Sequence, residues 1–188
     1  MTVVDKETWK TAVCELFGGS AFAAVGPSEE GEGGWRRGAV DVMRLRTRDP
    51  RGWWSINNAP EGDVHTLCGP DRPFLPPRSA DFDAVYEVSR RGAAQVLVTL
   101  QGDWFLTAGI PGFDKREPEL IRHAGLILER FGHDALCYTN ASAARDDPNG
   151  DMFGREAAYE GFTDYALDCG VIVVSPTEVG VFWGFVID

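Results

Sequence analysis

Val96 to Leu100 and Trp104 to Ala108 flank Gln101-Gly102-Asp103, and this stretch constrains the fold more than any other. A two-residue Gly-Asp loop between apolar runs is a favoured hairpin connection. The register puts Val96, Val98, Leu100 and Phe105 on one face and Leu97, Trp104, Leu106 and Ala108 on the other. A hairpin apolar on both faces belongs near the centre of a sheet or under a covering layer, so the sequence predicts a layered fold.

Helical patterns lie on either side of it. Asp5 is an N-cap, Trp9, Ala12, Val13, Leu16 and Phe17 follow the spacing of a buried helical stripe, and Gly18-Gly19 stop the helix. A second helix follows Pro111-Gly112, with Asp114 and Glu117 in capping-box spacing, Pro118 in its first turn and Leu120, Ala124, Ile127, Leu128 and Phe131 as its stripe. The third begins at Gly154. Its apolar positions Ala158, Phe162, Tyr165 and Cys169 oppose a ladder of Glu156, Glu160, Asp164 and Asp168. Like charges four apart on a helix cost roughly 0.2–0.5 kcal/mol per pair.

The remaining segments read as strands and connections. Ser20 to Val25, Trp53 to Ile56 and Asp134 to Thr139 are short strands, and Asp81 to Tyr86 is a short helix or entry turn. Trp35 to Arg48 alternates Met43, Leu45 and Thr47 with Arg44, Arg46 and Arg48, the pattern of a strand with one solvated face. Val171 to Val174 and Val181 to Ile187, joined through Ser175-Pro176, form a closing antiparallel hairpin. Residues 69–80 hold four prolines and make an extended crossing loop within one domain spanning residues 1–188. Helices interleaved with hairpins imply an α+β fold, an antiparallel or mixed sheet with about three helices mainly on one face.

A chain of 188 residues can bury a real core without disulfides or metals. No basic leader precedes an apolar run, and no window is apolar enough to span a bilayer, so a cytoplasmic protein is expected. Cys14, Cys68, Cys137 and Cys169 form no C-x-x-C pair and are expected to be buried small hydrophobes. Fifteen Arg against three Lys is the usage of a GC-rich bacterial gene.

The net charge of -11 is unevenly placed. Residues 1–80 carry ten basic and eleven acidic side chains, whereas residues 81–188 carry eight and eighteen. Such a field disfavours nucleic acid and anionic membranes and favours a basic protein partner.

Catalytic signatures are sparse. His65 and Cys68, with Asp63 or Asp71, have the residue types of a thiol nucleophile, its base and an orienting acid, but nothing brings them into geometry. Asp146, Asp147, Asn149, Asp151 and Glu156 carry enough oxygen for calcium, yet Gly150 comes too early, Pro148 interrupts the loop and the closing acid is misplaced. No phosphate loop, zinc motif, nucleophile elbow or dinucleotide fingerprint is present. Neither a metal nor a cofactor is expected.

Two functions fit. The first is a non-enzymatic acidic binding or inhibitory protein, of the immunity or antitoxin kind, that neutralises a basic partner such as a toxin nuclease. Its partner-binding residues are Glu156, Glu160, Asp164, Asp146, Asp147 and Asp151. The second is a small-molecule enzyme or ligand-binding domain with an aromatic pocket of Trp53, Trp54 and Trp183 and polar groups from Asn57, Asn58 and His65. Pairing of the ladder with Arg44, Arg46 and Arg48 inside the fold competes with the first.

Overall fold

A computed structural model describes residues 4–18, 21–29, 31, 33–54, 82–153, 159–163 and 165–186. In chain order the elements are α1 (Lys6–Phe17), β1 (Phe22–Pro27), α2 (Gly34–Met43), β2 (Tyr86–Val88), α3 (Arg90–Thr99), α4 (Phe113–Glu129), β3 (Leu136–Thr139), α5 (Ser142–Asp146), β4 (Leu167–Val174) and β5 (Glu178–Val186). The strands form one antiparallel sheet in the order β1-β5-β4-β3-β2. The fold is α+β.

Strand alternation divides the core. Ala23, Val25, Phe182, Val171, Val173, Cys169 and Cys137 face a large cluster roofed by α1, α3 and α4. Phe22, Ile172, Val179, Val181 and Trp183 face a smaller one with α2, Phe82 and Phe162. Among the described residues α1, α3 and α4 therefore share one face and α2 covers the other, close to the expected arrangement. The closing hairpin is the long pair β4–β5, with Val171 opposite Phe182 and Ile172 opposite Val181.

The opening helix matches its sequence signals. Asp5 accepts from the Thr8 amide at 2.8 Å, Gly18 closes the C-terminus with φ 52°, and Trp9, Ala12, Val13, Leu16 and Phe17 are buried.

Two expected strands are helices. Residues 90–99 form α3, capped by Ser89, which accepts from the Gly92 amide at 3.1 Å. Every residue from Gly92 to Thr99 is buried. A helix enclosed on all sides needs no polar stripe, and its continuous apolar run is indistinguishable by period from a central strand. Residues after it form two 3-10 turns, Asp103–Phe105 and Thr107–Gly109, instead of a second strand. Residues 34–43 are helical because Ala39, Val42 and Met43 pack on one side against β1 and β5. The alternation that suggested a strand belongs to the turn beyond α2, where Leu45 takes φ 56°.

The entry turn expected before residue 86 is present at 83–84, closed by the Val85 amide donating to the Phe82 carbonyl at 3.1 Å, and it leads directly into β2. The segment at 69–80 and Ile56 lie outside the described residues.

Candidate functional site

Among the described residues, the acidic ladder is not on a helix. Tyr159 bridges antiparallel to Ala141, the Glu160 amide donates to the Asn140 carbonyl at 3.0 Å, and residues 167–174 belong to β4. Strand pairing with β3 and β5 outweighs the helical spacing, as tertiary context often overrides local pattern. Glu156 and Asp164 lie outside the described residues.

Asp168 is fully buried on the small-cluster face. Its Oδ1 accepts from Trp183 Nε1 at 3.0 Å and Asn140 Nδ2 at 3.1 Å, and its Oδ2 accepts from the Thr163 amide at 2.8 Å and Thr163 Oγ1 at 2.7 Å. The Phe162 amide approaches both oxygens at 3.1–3.2 Å. This carboxylate holds the 159–163 segment onto the sheet and presents no surface.

The other acids are divided between the fold and solvent. Glu160 pairs with Arg145 Nη1 at 2.7 Å, and its hydrogen bond with Tyr86 pushes that phenol above its ordinary value. Asp151 Oδ1 accepts from Gln95 Nε2 at 2.8 Å, while Gln95 Oε1 accepts from the Met152 amide at 3.0 Å. Asp147 accepts from the Asn149 amide at 2.9 Å and remains exposed. Asp146, at the end of α5, is 76% exposed and only 3.4 Å from Arg145 Nε.

Arg44, Arg46 and Arg48 are exposed, and no ion pair joins them to an acid among the described residues. Internal pairing between the ladder and these arginines is therefore absent there. Arg145, close in sequence, supplies the counter-charge.

Of the tryptophans expected to line one pocket, Trp53 and Trp54 lie together on Trp9, and Trp183 is apart from them. Trp54 is in the large cluster and caps the edge of β1 by donating Nε1–H to the Ala23 carbonyl at 2.8 Å. Trp183 is buried in the small cluster on the opposite face. Trp53 packs on Trp9 with ring centroids 6.3 Å apart. Asn57, Asn58 and His65 lie outside the described residues.

Around Trp9 and Trp53 the fold builds an ionic network. Arg130, wholly buried at the end of α4, donates from Nη1 to Asp49 at 2.8 Å and from Nη2 to Glu178 at 2.7 Å. Its guanidinium lies 4.8 Å from the Trp9 ring and 5.1 Å from the Trp53 ring. Arg51 reaches Glu178 at 2.8 Å and the Arg130 carbonyl at 2.9 Å. Burial alone would raise the Asp49 carboxyl, but hydrogen bonds and charge from Arg130 outweigh it and hold the group below its ordinary value. Two cations and two anions balance, so this network is structural.

The loop after α3 contains a feature that the pattern of apolar residues concealed. Trp104 is 58% exposed and has φ 58°, and the next residue, Phe105, is buried with φ 56°. Each left-handed non-glycine residue costs roughly 1–2 kcal/mol. Phe105 anchors the turn: its ring meets Tyr159 edge-on at 5.7 Å, and its carbonyl accepts from the Tyr159 hydroxyl at 3.2 Å. Gly102 lets the backbone fold back, because a Cβ there would collide with the Leu106 carbonyl.

Asp103 and Trp104 line a cleft of about 340 Å³ with Leu100, Gln101, Phe185 and Val186. The Gln101 side-chain nitrogen is buried and has no hydrogen-bond partner among the described residues. Contacts across Phe105–Tyr159 and Phe113–Phe153, the latter at 5.2 Å, tie this loop to the acidic segment. The exposed position of Trp104 replaces the core position expected for it, and only its place directly after Gly102-Asp103 hinted at a turn tip.

Thiol and metal chemistry find no centre among the described residues. Cys137 and Cys169 are buried as expected, and Cys14 is exposed, contrary to expectation. Burial pushes the Cys137 thiol up to about 11 and Cys169 well above its ordinary value. No group of three or more His, Cys, Asp or Glu converges on a common point among the described residues, Asp146, Asp147 and Asp151 included. No described helix is long and apolar enough to cross a membrane. No protein-family model, curated protein or solved structure matches this chain.

Proposed function

We propose that the protein is a non-enzymatic binding protein of the immunity or antitoxin kind, which neutralises a basic cytoplasmic partner such as a toxin nuclease through its acidic surface. The observation that carries this reading is the exposed turn at 146–151. Asp146, Asp147 and Asp151 face solvent there with Arg145 as the adjacent cation, in a chain of net charge -11. Glu160 extends the surface at its edge. Such a field accelerates encounter with a basic surface more than it lengthens the life of the complex.

The test is kinetic. Any basic protein encoded beside this gene is purified, and its association is followed at low and high salt with wild type and an Asp146→Arg/Asp147→Arg variant. Association at low salt should slow at least about tenfold and lose much of its salt dependence, with little change in dissociation. Identical rates for the two proteins would sink the reading.

A further inference from the structure

Resting on that acidic-surface reading, we propose that the cleft formed by Gln101, Asp103, Trp104 and Phe185 receives an arginine side chain of the basic partner. Three properties of the cleft fit a guanidinium. Trp104 offers an exposed aromatic face, on which a cation is attracted by the ring quadrupole. Asp103, exposed on the same wall, supplies a carboxylate that accepts paired N–H donors. Leu100, Phe185 and Val186 give an apolar lining for the methylene stem.

A volume of about 340 Å³ suits one long side chain rather than a folded segment. Phe105 is buried against Tyr159 and its carbonyl accepts from the Tyr159 hydroxyl, so the backbone that carries the tryptophan is anchored. A large aromatic held this way has the character of an interface anchor. The Phe105–Tyr159 and Phe113–Phe153 ring contacts join this loop to the chain next to the acidic segment.

A fluorescein-labelled hexa-arginine peptide is the probe, with binding read by anisotropy at low salt against wild type, Trp104→Ala, Asp103→Asn and Asp146→Arg/Asp147→Arg. Trp104→Ala should weaken binding at least about tenfold while leaving the number of ions released, read from the salt dependence, unchanged. Asp103→Asn should weaken it too, and hexa-lysine should bind wild type less well because its ammonium lacks the planar fork. Far-ultraviolet circular dichroism checks that each variant is folded. If Trp104→Ala binds like wild type and the double charge reversal does not, the acidic surface stands and the arginine cleft is overturned. If wild type fails to bind the probe, both are overturned.

Discussion

Trp183 donates its indole N–H to Asp168 at 3.0 Å, and both residues are fully buried on the face of the sheet opposite α1, α3 and α4. Gly170 makes this possible, since a Cβ at that position would strike the Trp183 ring. The last rung of an apparent acidic ladder is thus a core acceptor that ties β4, β5 and the 159–163 segment together.

Asp168→Asn should lower stability by about 2–3 kcal/mol. Either orientation of the new amide turns its NH2 toward rigid N–H donors, Trp183 and Asn140 on one side or Thr163 on the other. Urea unfolding monitored by tryptophan fluorescence measures the loss. An unchanged midpoint would mean that the donors do not converge on this carboxylate.

The Arg130 network leads to a prediction in two stages. Arg130→Met leaves Asp49 and Glu178 buried beside each other and should cost about 3–5 kcal/mol. Replacing both acids with leucine in the same chain should recover much of it, which thermal unfolding can read. Asp49 has a folded-state value below its unfolded one, so its stabilisation is present above the unfolded carboxylate range and is lost as pH falls through the folded value. Wild type should therefore lose stability steeply in acid, and the triple variant less so.

Glycine and alanine should exchange their usual order at position 104. In ordinary secondary structure glycine is less stable than alanine by about 0.5–1 kcal/mol. At φ 58° the preference reverses, and Trp104→Gly should exceed Trp104→Ala in stability by about 1 kcal/mol. A pair of denaturation curves decides it, and the ordinary order would refute the left-handed turn.

Thiol reactivity should follow burial. At mildly alkaline pH, site-resolved mass spectrometry after iodoacetamide treatment should find Cys14 modified before Cys137 and Cys169. The buried pair needs unfolding to react, because burial holds both thiols protonated. Early modification of Cys169 would contradict its place beneath the sheet.

The elements readable from the sequence are those with one wet face. In α1 and α4 a polar side alternates with the stripe of Trp9 and Leu16 or of Leu120 and Ile127, so the helical period is visible. The β4–β5 hairpin is readable for another reason, two valine-rich runs about a proline turn. In α3, Val96, Leu97 and Val98 are all buried, and an element without a wet face carries no period. The acidic residues illustrate the same limit. Spacing places Glu160 and Asp168 alike, yet Glu160 reaches Arg145 at the surface while Asp168 meets only core donors, a distinction made by strand pairing far along the chain. Trp104 was hidden by composition, since a tryptophan among leucines reads as core until the backbone turns left-handed.

Hydrogen–deuterium exchange of the protein alone and bound to the basic partner proposed for it tests the acidic-surface proposal most directly. Protection should appear at residues 103–106 and 145–153, where Asp103, Trp104, Asp146, Asp147 and Asp151 lie, and leave α2 and the turn at 44–48 unchanged. Protection confined to that arginine-bearing turn, with the acidic segment exchanging as in the free protein, would contradict it.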